Sequence, residues 1–114
     1  MLLYTIVVEP NKPAYAKEIK SDLESLQHEV GGLIQALYPF ADDVAIICND
    51  EGKLHNLPPN RPLYDEESGD IYDVICGTFL VVGLTEDDFG SLSEEQIEKY
   101  LVKYSQPITF RTGA

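Results

Sequence analysis

Short apolar runs rich in β-branched residues recur along this chain, and most of the segments joining them are too short for a parallel crossover. Leu2–Val8, Leu33–Tyr38, Val44–Cys48 and Thr78–Leu84 each read as a strand. Parallel neighbours need a connection of roughly a dozen residues or more, usually through a helix, whereas antiparallel neighbours need only a tight turn. The spacing therefore predicts an α+β domain. Its mainly antiparallel sheet has about five to six strands, with two short helices packed on one face. At 114 residues the chain is one domain, residues 1–114.

Turn and cap signals divide the rest. The cluster Glu9-Pro10-Asn11-Lys12-Pro13 stops the first strand, and Ala14–Lys20 is placed to return as the second arm of a hairpin. Ser21 and Glu24 form a capping-box pattern ahead of Leu23, Leu26 and Val30, so a helix is expected over about 22–30, stopped by Gly31-Gly32. His28 falls on its exposed side. Asn49–Gly52 has hairpin-turn composition, and Ile71–Cys76 is ambiguous between a strand and a helical turn. Thr85–Gly90 reads as a single capped helical turn. A second capping box, Ser93 with Gln96, opens a helix whose Ile97, Tyr100, Leu101 and Tyr104 share a face. Pro107 bars its continuation, leaving Ile108–Phe110 as an edge strand or tail. Between Lys53 and Ser68 the chain carries Pro58, Pro59 and Pro62, and regular structure is not expected there.

The charge is strongly uneven. Net charge is −12, yet residues 62–98 hold eleven carboxylates and no Lys or Arg. Residues 99–114 hold only bases: Lys99, Lys103 and Arg111. Such acidity counts against direct contact with nucleic acid or an anionic membrane, where Lys and Arg must neutralise phosphate. Met1–Glu9 lacks a basic n-region and a cleavage site and is too short to span a membrane, so it reads as a strand. The expected compartment is the cytoplasm, with Cys48 and Cys76 as reduced thiols in apolar segments. Neither cysteine nor His28 or His55 shows the close pairing a zinc site needs, and Asp65–Cys76 has the wrong order for a calcium loop. No metal or cofactor is expected.

No nucleophile–base–orienter set is visible, and the familiar phosphate-binding and hydrolase motifs are absent. Enzyme activity is therefore not the leading expectation. One pair stands out, Asn60-Arg61, set between prolines in a stiff loop. A guanidinium offers five donors in a fixed fork. In a structural role Arg61 clamps a carboxylate, with Asp65, Glu66 and Glu67 nearby, or a set of backbone carbonyls. In a binding role Asn60 and Arg61, with Thr78, receive an anion such as a nucleotide. Tyr64 is one of several tyrosines, with Tyr38, Tyr72, Tyr100 and Tyr104, that suit either the core edge or an interface.

Several stretches match a known pattern in order along nearly the whole chain. They are Glu29-Val30-Gly31-Gly32, Tyr38-Pro39-Phe40, Cys48–Leu54, Leu57-Pro58-Pro59-Asn60-Arg61, Ile71–Phe79 and Phe89–Ser93. On these the chain resembles the small acidic proteins grouped as domain of unknown function 3846. Their hallmarks are a Leu-Pro-x-Asn-Arg loop and a Gly-Thr-Phe strand; Cys76 stands here where alanine is more usual. The resemblance implies a bacterial or phage origin, often on mobile elements, and brings no activity with it.

Two functional expectations follow. The first is a non-enzymatic accessory or regulatory protein of a mobile element or phage. It would bind a macromolecular partner, such as a basic host protein, through the acidic surface of residues 62–98, with carboxylates imitating DNA phosphate. The second is a small-anion binding module built on the Asn60-Arg61 loop. An edge strand or the tyrosines would also support a homodimer.

Overall fold

The structure, a computed structural model, describes residues 2–109. In chain order the elements are β1 (Leu2–Val8), β2 (Tyr15–Lys20), α1 (Leu23–Val30), β3 (Ile34–Leu37), β4 (Val44–Asn49) and β5 (Pro59–Tyr64). Then follow β6 (Ile71–Cys76), β7 (Phe79–Leu84), β8 (Phe89–Gly90) and α2 (Glu94–Lys103). Six strands form the main sheet in the order β2-β1-β7-β4-β3, with β8 also pairing β7; β5 and β6 form a separate two-stranded sheet. Every pairing is antiparallel. The fold is α+β, as the spacing of the apolar runs predicts.

The helices do not share a face. Ile6, Val8, Val44, Ile46, Phe79 and Val81 point to one side of the sheet, where they meet Leu92, Tyr100 and Tyr104 from the α2 region and Leu63 and Ile75 from the β5–β6 hairpin. Val7, Ile19, Ala45, Ile47, Leu80 and Val82 point to the other side and meet Leu26 and Val30 of α1. The expected packing of both helices on one face is thus corrected. The reason is visible in β4 and β7. Each is apolar at successive positions rather than alternate ones, and Val44–Ile47 and Phe79–Val82 are buried throughout. A sheet that is apolar on both faces must be covered on both.

Three local expectations also change. Pro59–Tyr64 is a strand despite its prolines. It pairs on one side only, with β6, so the missing proline donors interrupt no central ladder. Thr85–Asp88 is not a helical turn. Its backbone folds as a hairpin, with the Thr85 amide donating to Asp88 O at 2.8 Å, and it returns as β8. The first capping box does not form: Asp22 is the N-cap residue and no side chain caps the helix. Gly31 stops α1 in the left-handed region at φ 80°, as expected of the glycine pair.

Other expectations agree. Ile71–Cys76 resolves as a strand, and β2 returns along β1 in register from Leu2↔Lys20 to Val7↔Tyr15. The second capping box is complete: Ser93 Oγ accepts from the Gln96 amide and Gln96 accepts from the Ser93 amide. Ile108 and Thr109 take no strand conformation, and Phe110 lies outside the described residues. No helix is long and apolar enough to cross a membrane among the described residues.

Candidate functional site

The β5–β6 register explains where Asn60 and Arg61 go. Pro59 faces Cys76 and Arg61 faces Ile75, so Asn60 is an extra residue on β5. Such a bulge re-aims side chains that plain alternation would send to opposite faces. Here it sends both inward: Asn60 is 0% exposed and Arg61 2%. Asn60 Nδ2 donates to Val8 O at 2.8 Å and to Gly77 O at 2.9 Å. It thereby joins the end of β1 to the bend before β7, where Gly77 sits at φ 86°.

Arg61 continues this polar knot. Its NH1 donates to Asn60 Oδ1 at 2.8 Å, and its NH2 donates to Lys12 O at 2.8 Å and Tyr104 O at 3.2 Å. The Tyr104 carbonyl also accepts from the Ala14 amide. One guanidinium therefore ties the β1–β2 turn, the end of α2 and β5 together. It pairs with no carboxylate among the described residues. Of the alternatives open for Arg61, the geometry corresponds to the clamp on backbone carbonyls. Burial lowers its pKa, opposed by neighbouring Tyr104, but a guanidinium stays charged. Among the described residues, Arg61 Nε is the one buried side-chain polar atom without a partner.

The side chains of the other residues singled out by sequence make no hydrogen bond to Asn60 or Arg61. Thr78 is half-buried just after Gly77. Tyr64 is 46% exposed at the end of β5. Asp65, Glu66 and Glu67 form the exposed tip of the β5–β6 hairpin, about 13 Å along the strand from Arg61 at ~3.3 Å per residue. Asp65 accepts from the Ser68 and Glu67 amides, and these bonds hold its carboxyl below the usual aspartate range.

That tip joins a second arrangement, at the end of the sheet where β4 begins. Glu66 Oε1 accepts from the Ala41 amide at 3.3 Å. Asp42 accepts from Gln96 Nε2 at 3.2 Å and from the Tyr100 hydroxyl at 3.1 Å, with Lys99 Nζ at 3.5 Å. Asp43 O accepts from the Leu84 amide, which places the Thr85–Asp88 turn alongside. A cleft of about 570 Å³ opens here, lined among others by Phe40, Asp42, Glu66, Glu95, Lys99 and Lys103. Lys103 Nζ sits 5.4 Å from the centre of the Phe40 ring. Sequence reading marked the acidic residues but missed Asp42 as their hinge, because its partners Gln96 and Tyr100 lie more than fifty residues away. Its only local mark in the sequence is the Asp42-Asp43 pair just before a strand.

The Asp42 environment has a consequence for stability. Desolvation alone would raise its carboxyl pKa, but hydrogen bonds from Gln96, the Asp43 amide and Tyr100, with Lys99 nearby, outweigh it and lower the pKa from the ordinary 3.8. A carboxylate with a depressed folded-state pKa contributes stability above its unfolded pKa and loses it as pH falls through the folded value. Asp42→Asn should therefore be less stable than the wild type at pH 7, with the gap closing as pH drops below about 4. Urea unfolding of both proteins at neutral and acid pH checks this; a gap independent of pH would exclude it.

The cysteines are both free. Cys48 is buried on β4, and burial, with Asp50 and Asp73 nearby, pushes its thiol up to about 11. A thiol held protonated in this way is a poor nucleophile at neutral pH.

An α+β domain with a buried Asn-Arg clamp and an acidic end is thus defined by its own geometry. The family model described as a domain of unknown function, DUF3846, matches residues 3–105, and the chain belongs to that family. No curated protein matches the chain, and no solved structure does.

Proposed function

We propose that this protein is a non-enzymatic accessory or regulatory protein that binds a basic macromolecular partner through its acidic end. The supporting observation is the convergence of separate acidic segments. The hairpin tip at Asp65–Glu67 meets the Ala41–Asp43 turn, the Glu86–Asp88 turn lies beside Asp43, and the first turn of α2 brings Glu94 and Glu95. Much of the base-free stretch thereby lies at one end of the molecule, where Lys99 and Lys103 line the same cleft. Carboxylates fixed at this density favour a Lys- or Arg-rich surface through encounter rate and selectivity. The bacterial or phage setting that the resemblance implies makes a cytoplasmic host protein the natural partner, approached as it would approach DNA phosphate. The small-anion reading gains no support from the geometry. Asn60 and Arg61 direct their bonded donors at backbone carbonyls and at each other, inside the fold.

The test is capture from a bacterial host lysate on immobilised protein. A partner should be retained at low salt and released by raised salt, because screening weakens surface charge pairing. A variant with Glu86, Asp87 and Asp88 changed to Gln, Asn and Asn should retain much less. Absence of any salt-released partner, or equal retention by the variant, would overturn the reading.

A further inference from the structure

The two outer edges of the main sheet differ in kind. The β2 edge carries Lys17, Glu18 and Lys20, the charged residues that commonly blunt an edge. The β3 edge, Ile34-Gln35-Ala36-Leu37, carries none, and no residue from Gly31 to Ala41 is charged. The Leu33 carbonyl accepts from the Asp50 amide, so Leu33 faces β4, as do Gln35 and Leu37 by the alternation of an antiparallel ladder. Ile34 and Ala36 therefore turn their N–H and C=O outward, and no hydrogen bond reaches them from another described element. Large exposed apolar side chains border this edge: Leu33 at 56% and Tyr38 at 63% flank the strand, with Leu54 at 76% beside Gln35 and Leu37.

We propose that β3 is the contact of a homodimer, pairing antiparallel with β3 of a second copy about a two-fold axis through Gln35. In that register Ile34 of one copy bonds to Ala36 of the other, and the reverse, so the outward amides satisfy one another. Charge selects the occupant. Two copies at −12 each repel over most of their surfaces, and the β3 edge is the sheet edge on which they meet without charged side chains of their own strands. Of the carboxylates that border it, Asp73 pairs with Lys53 and Glu51 lies 3.6 Å from His55, while Asp50 stands one strand behind, just after β4, rather than on the edge itself. A basic peptide, the partner proposed for the acidic end, finds no carboxylate on this strand.

Sedimentation velocity over a concentration series tests the pairing. The wild type should dimerise, and more strongly as salt rises, because screening relieves the repulsion between copies. This sign is opposite to that expected for the acidic end. Ala36→Pro removes an outward N–H without touching the ladder to β4, and across the two-fold it deletes two bonds, weakening the dimer roughly thirty-fold. If Ala36→Pro fails to fold, Gln35→Glu at an exposed position on the axis sets two like charges directly opposite each other and should also favour the monomer. A monomer at high micromolar concentration in high salt, or a dimer that both variants leave unchanged, overturns the proposal.

Discussion

Arg61→Ala should lower the unfolding free energy by about 3–5 kcal/mol, as for truncation of other large buried side chains, a large part of what a domain of this size possesses. Three effects act in the same direction. The side chain is among the largest fully buried ones, so its loss opens a cavity. Lys12 O and Asn60 Oδ1 lose their Arg61 donor, and charge-assisted bonds of this kind contribute about 1.5–3 kcal/mol each. Three segments distant in sequence also lose their common tie, so the β1–β2 turn and the end of α2 loosen together. Arg61→Met separates volume from polarity. It fills most of the space but leaves the same acceptors bare, so most of the deficit should persist. Urea unfolding followed by far-UV circular dichroism and tyrosine fluorescence measures both. A loss under about 1 kcal/mol for the alanine variant would mean that the clamp is not needed for stability.

What was legible in the sequence depended on how local the cause was. The capping box at Ser93 and Gln96, the stop at Gly31 and the β1–β2 hairpin arise from residues close to one another, and each formed. Continuous apolar runs at Val44–Ile47 and Phe79–Val82 already signalled burial on both faces. Placing both helices on one side left the opposite face bare, which is why that expectation failed. The proline-rich strand was hidden because proline forbids ladder bonds only where a donor is needed, and whether one is needed depends on a partner ten residues or more away. The Asn60-Arg61 pair drew notice by its residue types, but its acceptors are backbone carbonyls, which no sequence pattern marks. The acidic end was visible as composition and invisible as a surface, since Asp42 is joined to α2 only by tertiary contact.

Gly83→Ala should be the second large disruption, costing about 2–3 kcal/mol, and its cause lies in close approach rather than in φ. Gly83 pairs with Val44 on one side and Gly90 on the other, where β7 receives the short return of β8. A Cβ at this position would stand 2.3 Å from Ser91 O, a backbone atom that cannot swing aside. To admit the methyl group, Ser91 must move, and with it two contacts to β1: the Leu92 amide on Tyr4 O and Ser91 Oγ on the Tyr4 amide. Leu92 is part of the core beneath α2, so the strain passes into the packing of that helix. Two other glycines serve as controls. At Gly90 the added Cβ meets only the Thr85 methyl, a side-chain group that can rotate, so Gly90→Ala should cost less. Gly31 has open space around it but φ of +80°, and Gly31→Ala should cost about 1 kcal/mol from backbone strain alone. Thermal unfolding should therefore rank the variants with Gly83→Ala the least stable. If Gly31→Ala proved as damaging as Gly83→Ala, the close approach of Ser91 would not be what requires glycine at position 83.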